Sequence, residues 1–444
     1  MNRQPLFFPG LLALYFLFLA YQILNSTYVS PDDAWTIWNS TSSHHYIYDH
    51  WLRQGRLFSG LLQTWLFRAA HTIAGLKFLR LLSLIGWIGC TVMLYRVLKR
   101  LQKRITLGDE TVLLTIAYFA PAMFSLVYIS WASCVEVSIP ILLALAIGLV
   151  FYEKGARAWT IALFLVGAVV ILFFYQTFYP LVLIPFYCEY LSRRDGRVTR
   201  PMWTALLPFF VGLGIYYILF RYSVATSHLP SDPRTALKFD PLDRIAIFFA
   251  PPMNQAFNTN ALFNMRSVIS QAVFPVVAAA WLGIEFFYRK GKTGVKLRYV
   301  LGLLAWWILG YLPVMASQET FGPYRTMLVL GLMVFMMLAD IVMTLIKDAR
   351  TKMAFVYGVT LIFLCWGGFV YYGYLAHPLS GEYSAVRARL MKRYTPHIKE
   401  VIFIRPDEYA FQSHFGVRPY KDELGQPATY KEWTPEPLVK QIVY

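Results

Sequence analysis

Apolar runs of about twenty residues recur along this chain from its first turns to residue 374, and no other feature limits its fold so tightly. A run of that length lets one helix cross about 30 Å of hydrocarbon. In lipid the backbone must satisfy its own hydrogen bonds, which leaves helical bundles or closed barrels. Barrel strands would appear as roughly ten-residue segments of strict alternation, and the sequence has none. Composition points the same way. Only 15% of the 444 residues are charged and 57% are hydrophobic, whereas a soluble domain carries about a quarter charged residues. The expected fold is an all-α polytopic membrane protein of about eleven helices, near 6–24, 76–97, 110–130, 137–152, 159–175, 177–191, 202–220, 268–287, 297–315, 325–346 and 354–374. The fifth and sixth, meeting around Tyr175 to Tyr179, are short and rich in tyrosine.

The net charge of +17 acquires meaning inside this frame. Basic residues gather in alternate loops: at 96–104, 154–157, 193–200, 289–298 and 347–352. Positive residues in short loops remain cytoplasmic, and every cluster falls on one side if the N-terminus, with Arg3, lies inside. Topology therefore accounts for much of the excess, and no nucleic-acid partner is expected. The first apolar run exceeds the 7–15 residues of a signal-peptide core and no small-x-small site follows it, so it reads as a true span. Cys90, Cys134, Cys188 and Cys365 lie in or beside apolar spans without a CxxC pair, which argues against a disulfide framework or zinc site.

This orientation puts four segments outside: a first loop of about 25–75, a turn at 131–136, a long loop of about 221–267, and the stretch 317–325. A tail from about 376 to 444 follows, beyond a membrane domain of 1–375. The cytoplasmic loops are short and featureless. In the first loop, Asp32 and Asp33 follow Ser30 and Pro31. Two adjacent carboxylates repel, which raises one pKa unless a cation or hydrogen bonds compensate, and a raised carboxylate can act as a general base. Ser-Pro-Asp-Asp is equally a helix start, with a serine cap, proline in the first turn and acids favoured by the dipole. Both readings can hold together.

Residues 44–50 read HHYIYDH. His44, His45, Asp49 and His50 suit a transition metal by type, but their spacing matches no metal motif. Interfacial anchoring or substrate contact is the expectation, with no metal and no other cofactor. Residues 56–74 mix apolar positions with Arg56, Gln63, Arg68 and His71, which fits a helix lying on the membrane surface.

The early PDDAW segment, the Gly55-Arg56 pair, Tyr175-Gln176 at a helix mouth and the late Gly322-Pro323-Tyr324-Arg325 stretch together resemble the membrane glycosyltransferases of the C-type fold (GT-C). That group includes protein O-mannosyltransferases, lipid A aminoarabinose transferases and, nearest in likeness, phage serotype-conversion glucosyltransferases. The likeness covers the layout of residues 1–375; the tail has no counterpart in it. It implies transfer of a sugar from a polyprenyl-phosphate donor to an extracytoplasmic glycan or protein, with inversion, in the bacterial inner membrane, the tail being periplasmic. It makes Asp32 the base, with Asp33 orienting it or taking the role itself. Arg325, with Arg56, would bind the donor phosphate, since guanidinium matches phosphate in two-pronged geometry; a snorkelling interfacial arginine is the plain alternative. Glu136, Gln176, Glu319, Tyr324, His44, His45 and Asp49 would contact substrate, and Tyr179 would line the same mouth. Glu136 and Glu319 read equally as boundary residues, and Tyr179 as part of an aromatic belt.

The long loop at 221–267, with Arg221, Arg234, Asp240, Asp243 and Arg244, reads as a gate or a plain connector. In the tail, EYSAVRARLMKRY reads as a helix and EVIFIRP (400–406) as a short buried strand, giving a small α/β-like cap docked on the outer face and helping acceptor choice. A lipid-linked glycan polymerase or ligase, a transporter or flippase, and a membrane scaffold are the rival readings. Transporters carry internal repeats and midplane sites. No repeat is evident here, and Asp340 is the acid most nearly embedded.

Overall fold

The computed structural model describes residues 7–42, 46–237, 240–264, 266–317, 324–395, 397–398, 400–420 and 424–443. Among these, all regular structure is helical, with one isolated antiparallel bridge between Leu237 and Ser317. Among the described residues, nine helices are long and apolar enough to cross a membrane: Phe7–Asn25, Leu76–Leu101, Asp109–Ser130, Ala132–Lys154, Arg200–Thr226, Val268–Tyr288, Thr293–Ala316, Leu328–Leu345 and Ala349–Arg393. The chain is a multi-pass α-helical membrane protein.

The two expected spans missing from that set are the short pair. Ala158–Phe174 is helical for 17 residues. After Tyr175 the chain runs as a 3-10 helix, Gln176–Leu183, before turning α-helical at Ile184–Arg193. Pro180 and Pro185 remove backbone donors here. Irregular backbone at such depth survives only when protein surrounds it, and residues 177–183 are indeed buried. Gly148 makes the enclosure tight, because a Cβ there would stand 2.4 Å from the Val182 carbonyl oxygen.

Burial separates centre from rim. The Asp109–Ser130 window is wholly buried, whereas only 17% of the Val268–Tyr288 window is. Large apolar side chains such as Leu14, Phe78, Leu207, Ile218 and Val276 are more than 60% exposed on their helices, a surface that only lipid covers comfortably.

The helices share two ends of different character. At one, Lys99 meets Asp109 at 2.6 Å, the Arg104 guanidinium donates to the Glu153 carbonyl at 3.4 Å, and Arg194 pairs with Asp340. That pair places the embedded acid at the basic end. At the other end, the link between the first two spans forms three helices: α2 (Pro31–Ser42), α3 (Tyr46–Arg53) and α4 (Leu57–Ala70), between α1 (Phe7–Asn25) and α5 (Leu76–Leu101). α4 buries Ser59, Gly60, Gln63, Thr64 and Phe67 and leaves Trp65 79% exposed, as a surface-lying helix should.

The tail begins as a helix, His377–Arg393, continuous with the last span through a π-turn at Tyr371–Ala376. The expected strand at 400–406 is not formed. The described residues there have no ladder partner, and Ile402 and Ile404 are 82% and 88% exposed. Apolar alternation cannot make a strand without an edge to pair with, so the described residues of the tail form helix and extended chain, without the expected α/β-like character.

Candidate active site

A helix turns by about 100° per residue, so the neighbouring carboxylates of α2 cannot share one environment. Asp33 turns inward and is fully buried. One of its oxygens accepts from the Arg80 guanidinium at 2.7 Å and from the Ser30 amide at 3.3 Å; the other accepts from the Ser133 amide at 2.9 Å. The Ser30 hydroxyl in turn accepts from the Asp33 amide at 3.3 Å, closing a reciprocal cap. Arg80 also donates to the Ser130 and Tyr28 carbonyls at 2.7 and 3.0 Å and lies 3.7 Å above the Tyr28 ring. One ion pair thus locks α2, α5 and the 130–133 junction together.

Asp32 turns the other way, into a cleft of about 530 Å³ at this end of the bundle, a size suited to a small polar ligand. Its carboxylate is one-third exposed and stands 3.7 Å from the Arg325 Nη1 atom. Arg325 stacks over Trp131 at 4.9 Å, and its carbonyl accepts from the Tyr128 hydroxyl. A carboxylate and a guanidinium almost three hundred positions apart in sequence therefore share one wall.

Arg56 supplies a second cation. Its guanidinium lies 3.9 Å over the Tyr175 ring and 5.3 Å from Trp51. The turn before it depends on Gly55, whose φ is +73° and where a Cβ would stand 2.2 Å from the Tyr216 hydroxyl. Gln176 fastens that turn: its Nε2 is 3.0 Å from the Gln54 carbonyl, 3.2 Å from the Gly55 carbonyl and 2.7 Å from the Tyr216 hydroxyl. The break in the helical run at Tyr175 is what lets Gln176 reach it.

The long loop closes another side. Asp232 accepts from Arg234 at 2.7 Å, the Asp232 amide donates to the Arg53 carbonyl at 3.1 Å, and Leu237 bridges to Ser317. Arg234, Leu237 and Ser317 all line the cleft. His50 faces it too, with its Nε2 3.0 Å from the Gln54 amide nitrogen. Burial, with Arg234 nearby, pushes the His50 pKa from 6.5 down to about 4, so the imidazole is neutral near pH 7.

Of the residues expected from sequence, Asp32, Arg325, Arg56 and Gln176 meet in the cleft. Asp33 stands behind it as described. Glu136 is also behind it, 2% exposed, accepting from Gln63 at 2.8 Å. Tyr324 is buried beside Arg325, away from the lining. Tyr179 does not line the mouth; it stacks on Phe209 at 4.8 Å and donates to that residue's carbonyl at 3.1 Å. Asp49 lies on α3 outside the lining. His44, His45 and Glu319 fall outside the described residues. Among the described residues, no three His, Cys, Asp or Glu side chains are grouped as metal ligands.

Sequence reasoning missed Arg80, although an arginine inside an apolar run is a signal in itself. It also missed Trp35, Trp51, Arg234 and the tail residue Trp433 as lining groups; nothing local marks a tail tryptophan for a distant cleft. Compared with protein-family models, curated proteins and solved structures, the chain matches none.

Proposed function

We propose that this membrane protein is a glycosyltransferase that takes a sugar from a polyprenyl-phosphate donor and passes it to an extracytoplasmic acceptor hydroxyl with inversion. The observation carrying this reading is the facing of Asp32 and Arg325 at 3.7 Å within a cleft that Arg56 also lines. A hydroxyl is a weak nucleophile until a base accepts its proton, and a departing phosphate gains from fixed guanidinium groups. In this scheme Asp32 removes the acceptor proton as the acceptor oxygen bonds to the anomeric carbon. The bond from that carbon to the phosphate oxygen breaks, and the lipid phosphate leaves as an anion beside Arg325 and Arg56. Asp33 positions Asp32 through its ion pair with Arg80. The cleft's opening at the bundle end suits a donor whose lipid stays in the bilayer while its head group reaches the charges. We assign the cleft end to the periplasmic side of a bacterial inner membrane, because the basic loops lie at the opposite end.

The test is turnover of a panel of radiolabelled polyprenyl-phosphate hexoses and pentoses by purified protein. Asp32→Asn should lose roughly 10²–10⁴ of the rate, the range for one positioned base, while still binding donor. Arg325→Ala should raise the donor KM more than the acceptor KM. Full activity in Asp32→Asn removes that residue as base. Donor binding without turnover by the wild type would favour a flippase instead.

A further inference from the structure

The charged groups occupy only part of the cleft. On the wall formed by α2 and α3, the Trp35 ring lies 4.7 Å from His50 and 5.5 Å from Tyr46, and His50 lies 5.3 Å from Trp51. All four line the cleft, and Trp433 joins them from the tail. These rings are themselves uncharged with His50 neutral, and cations stand at their edges, the Arg56 guanidinium 5.3 Å from Trp51 and the Lys431 ammonium 5.8 Å from Trp433. Trp51 Nε1 and Thr177 Oγ1, both on lining residues, are buried without a hydrogen-bond partner. Groups in that condition weaken the fold unless water or a ligand supplies the missing bond.

The tail that carries Trp433 is tied to the bundle on both sides of it. Arg266 donates to both carboxylate oxygens of Glu408 at 3.0 and 2.7 Å, and Asn264 donates to the Pro419 carbonyl at 3.2 Å. Glu382 accepts from the Ala428 and Thr429 amides at 2.8 and 2.9 Å. Beyond Trp433, the final helix Pro435–Val443 packs Leu438 into a cluster with Val29, Ala34 and Ile37, and Lys440 lies 5.2 Å over Trp38. Trp433 thus stands between two anchors, the second on the very helix that carries Asp32. It is 45% exposed, which puts it at the solvent side of the cleft, and a chain segment anchored on both sides before binding loses less freedom on meeting a ligand.

Flat aromatic rings sharing one cleft with uncharged hydrogen-bonding groups complement a molecule with an apolar C–H face and a rim of hydroxyls, which is the chemistry of a pyranose. An anionic group would find its partners at Arg325 and Arg56 instead. We propose that the tail builds an acceptor subsite in which Trp433 stacks on a pyranose ring of a glycan entering from solvent. This rests on the sugar-transfer reading, and it makes the tail a determinant of acceptor choice.

The experiment uses the full-length protein in detergent, with Trp433→Ala and Trp433→Phe variants. Delipidated cell-surface polysaccharide and polyprenyl phosphate are titrated separately by calorimetry. Trp433→Ala should weaken polysaccharide binding about tenfold, the scale of one aromatic contact, and leave polyprenyl phosphate binding unchanged; Trp433→Phe should restore most of the loss. Equal polysaccharide binding by wild type and Trp433→Ala overturns the subsite, and so does a parallel loss of both ligands, the mark of a merely structural tryptophan. Failure of the wild type to bind polyprenyl phosphate sinks the sugar-transfer reading separately, while a polysaccharide affinity lost only in Trp433→Ala still supports the subsite.

Discussion

Two carboxylates adjacent in sequence have the same intrinsic acidity, so their different fates here come from where one helical step points each of them. Asp33 is desolvated, and a buried charge is tolerable only with its partners complete; Arg80, the Ser133 amide and the Ser30 amide complete it. Removing Arg80 would strand that charge. Arg80→Ala should therefore cost about 3–5 kcal/mol, seen as a large fall in the detergent unfolding temperature. Asp32→Ala breaks only a partly solvated pair and should cost less than about 1 kcal/mol; equal losses would contradict the division of roles. His50 gives a pH dependence. Its folded pKa, about 4, lies below the unfolded 6.5, so between these values the unfolded chain binds more protons. Stability from this group is complete above pH 6.5 and is lost as pH falls through 4. Thermal unfolding followed across that window should steepen for the wild type and flatten in His50→Gln.

At the scale of elements, hydrophobic length located the spans because crossing lipid is a local demand on composition. The same criterion is blind to how a span is wound. Gln176–Leu183 is apolar enough to pass for the start of a helix, yet its 3-10 form is set by Pro180 and by neighbours such as Gly148. That irregular entry delivers Gln176 to the Gly55 turn. The turn itself is a second such joint, since a positive φ and a neighbouring hydroxyl both exclude a side chain. Gly55→Ala should destabilise by about 1–3 kcal/mol through overpacking and raise the donor KM by displacing Arg56. Gly89→Ala, where the nearest atom to a new Cβ is 4.0 Å away, should change neither. A Gly55→Ala protein with normal donor kinetics would detach this turn from the site.

For the whole molecule, the two ends differ in chemistry. Contacts such as Arg194 with Asp340 and Arg104 with Glu153 bring the basic loops together, and the large loops and tail converge on the cleft at the other end. The positive-inside rule is the ground for the proposed orientation, which labelling tests directly. In a cysteine-free background, Ser227→Cys at the cleft end should react with an impermeant maleimide in cells with a permeable outer membrane and a sealed inner one. Gly291→Cys should react only after the inner membrane is opened. Both positions are exposed; the reverse pattern would invert the topology and remove the periplasmic assignment.

The helical bundle, nine of its eleven expected spans and the cap at Ser30 were legible in the sequence alone, because apolar length and helix-start chemistry are properties of a few consecutive residues. Asp32, Arg56, Gln176 and Arg325 were legible as candidates by residue type. Which carboxylate meets the cleft, that Glu136 and Tyr179 stay behind it, that 400–406 forms no strand, and that Trp433 from the tail lines the cleft were decided only by tertiary structure. Each depends on partners far away in the chain, and a side chain's charge, solvation and direction are fixed by those partners once the bundle packs.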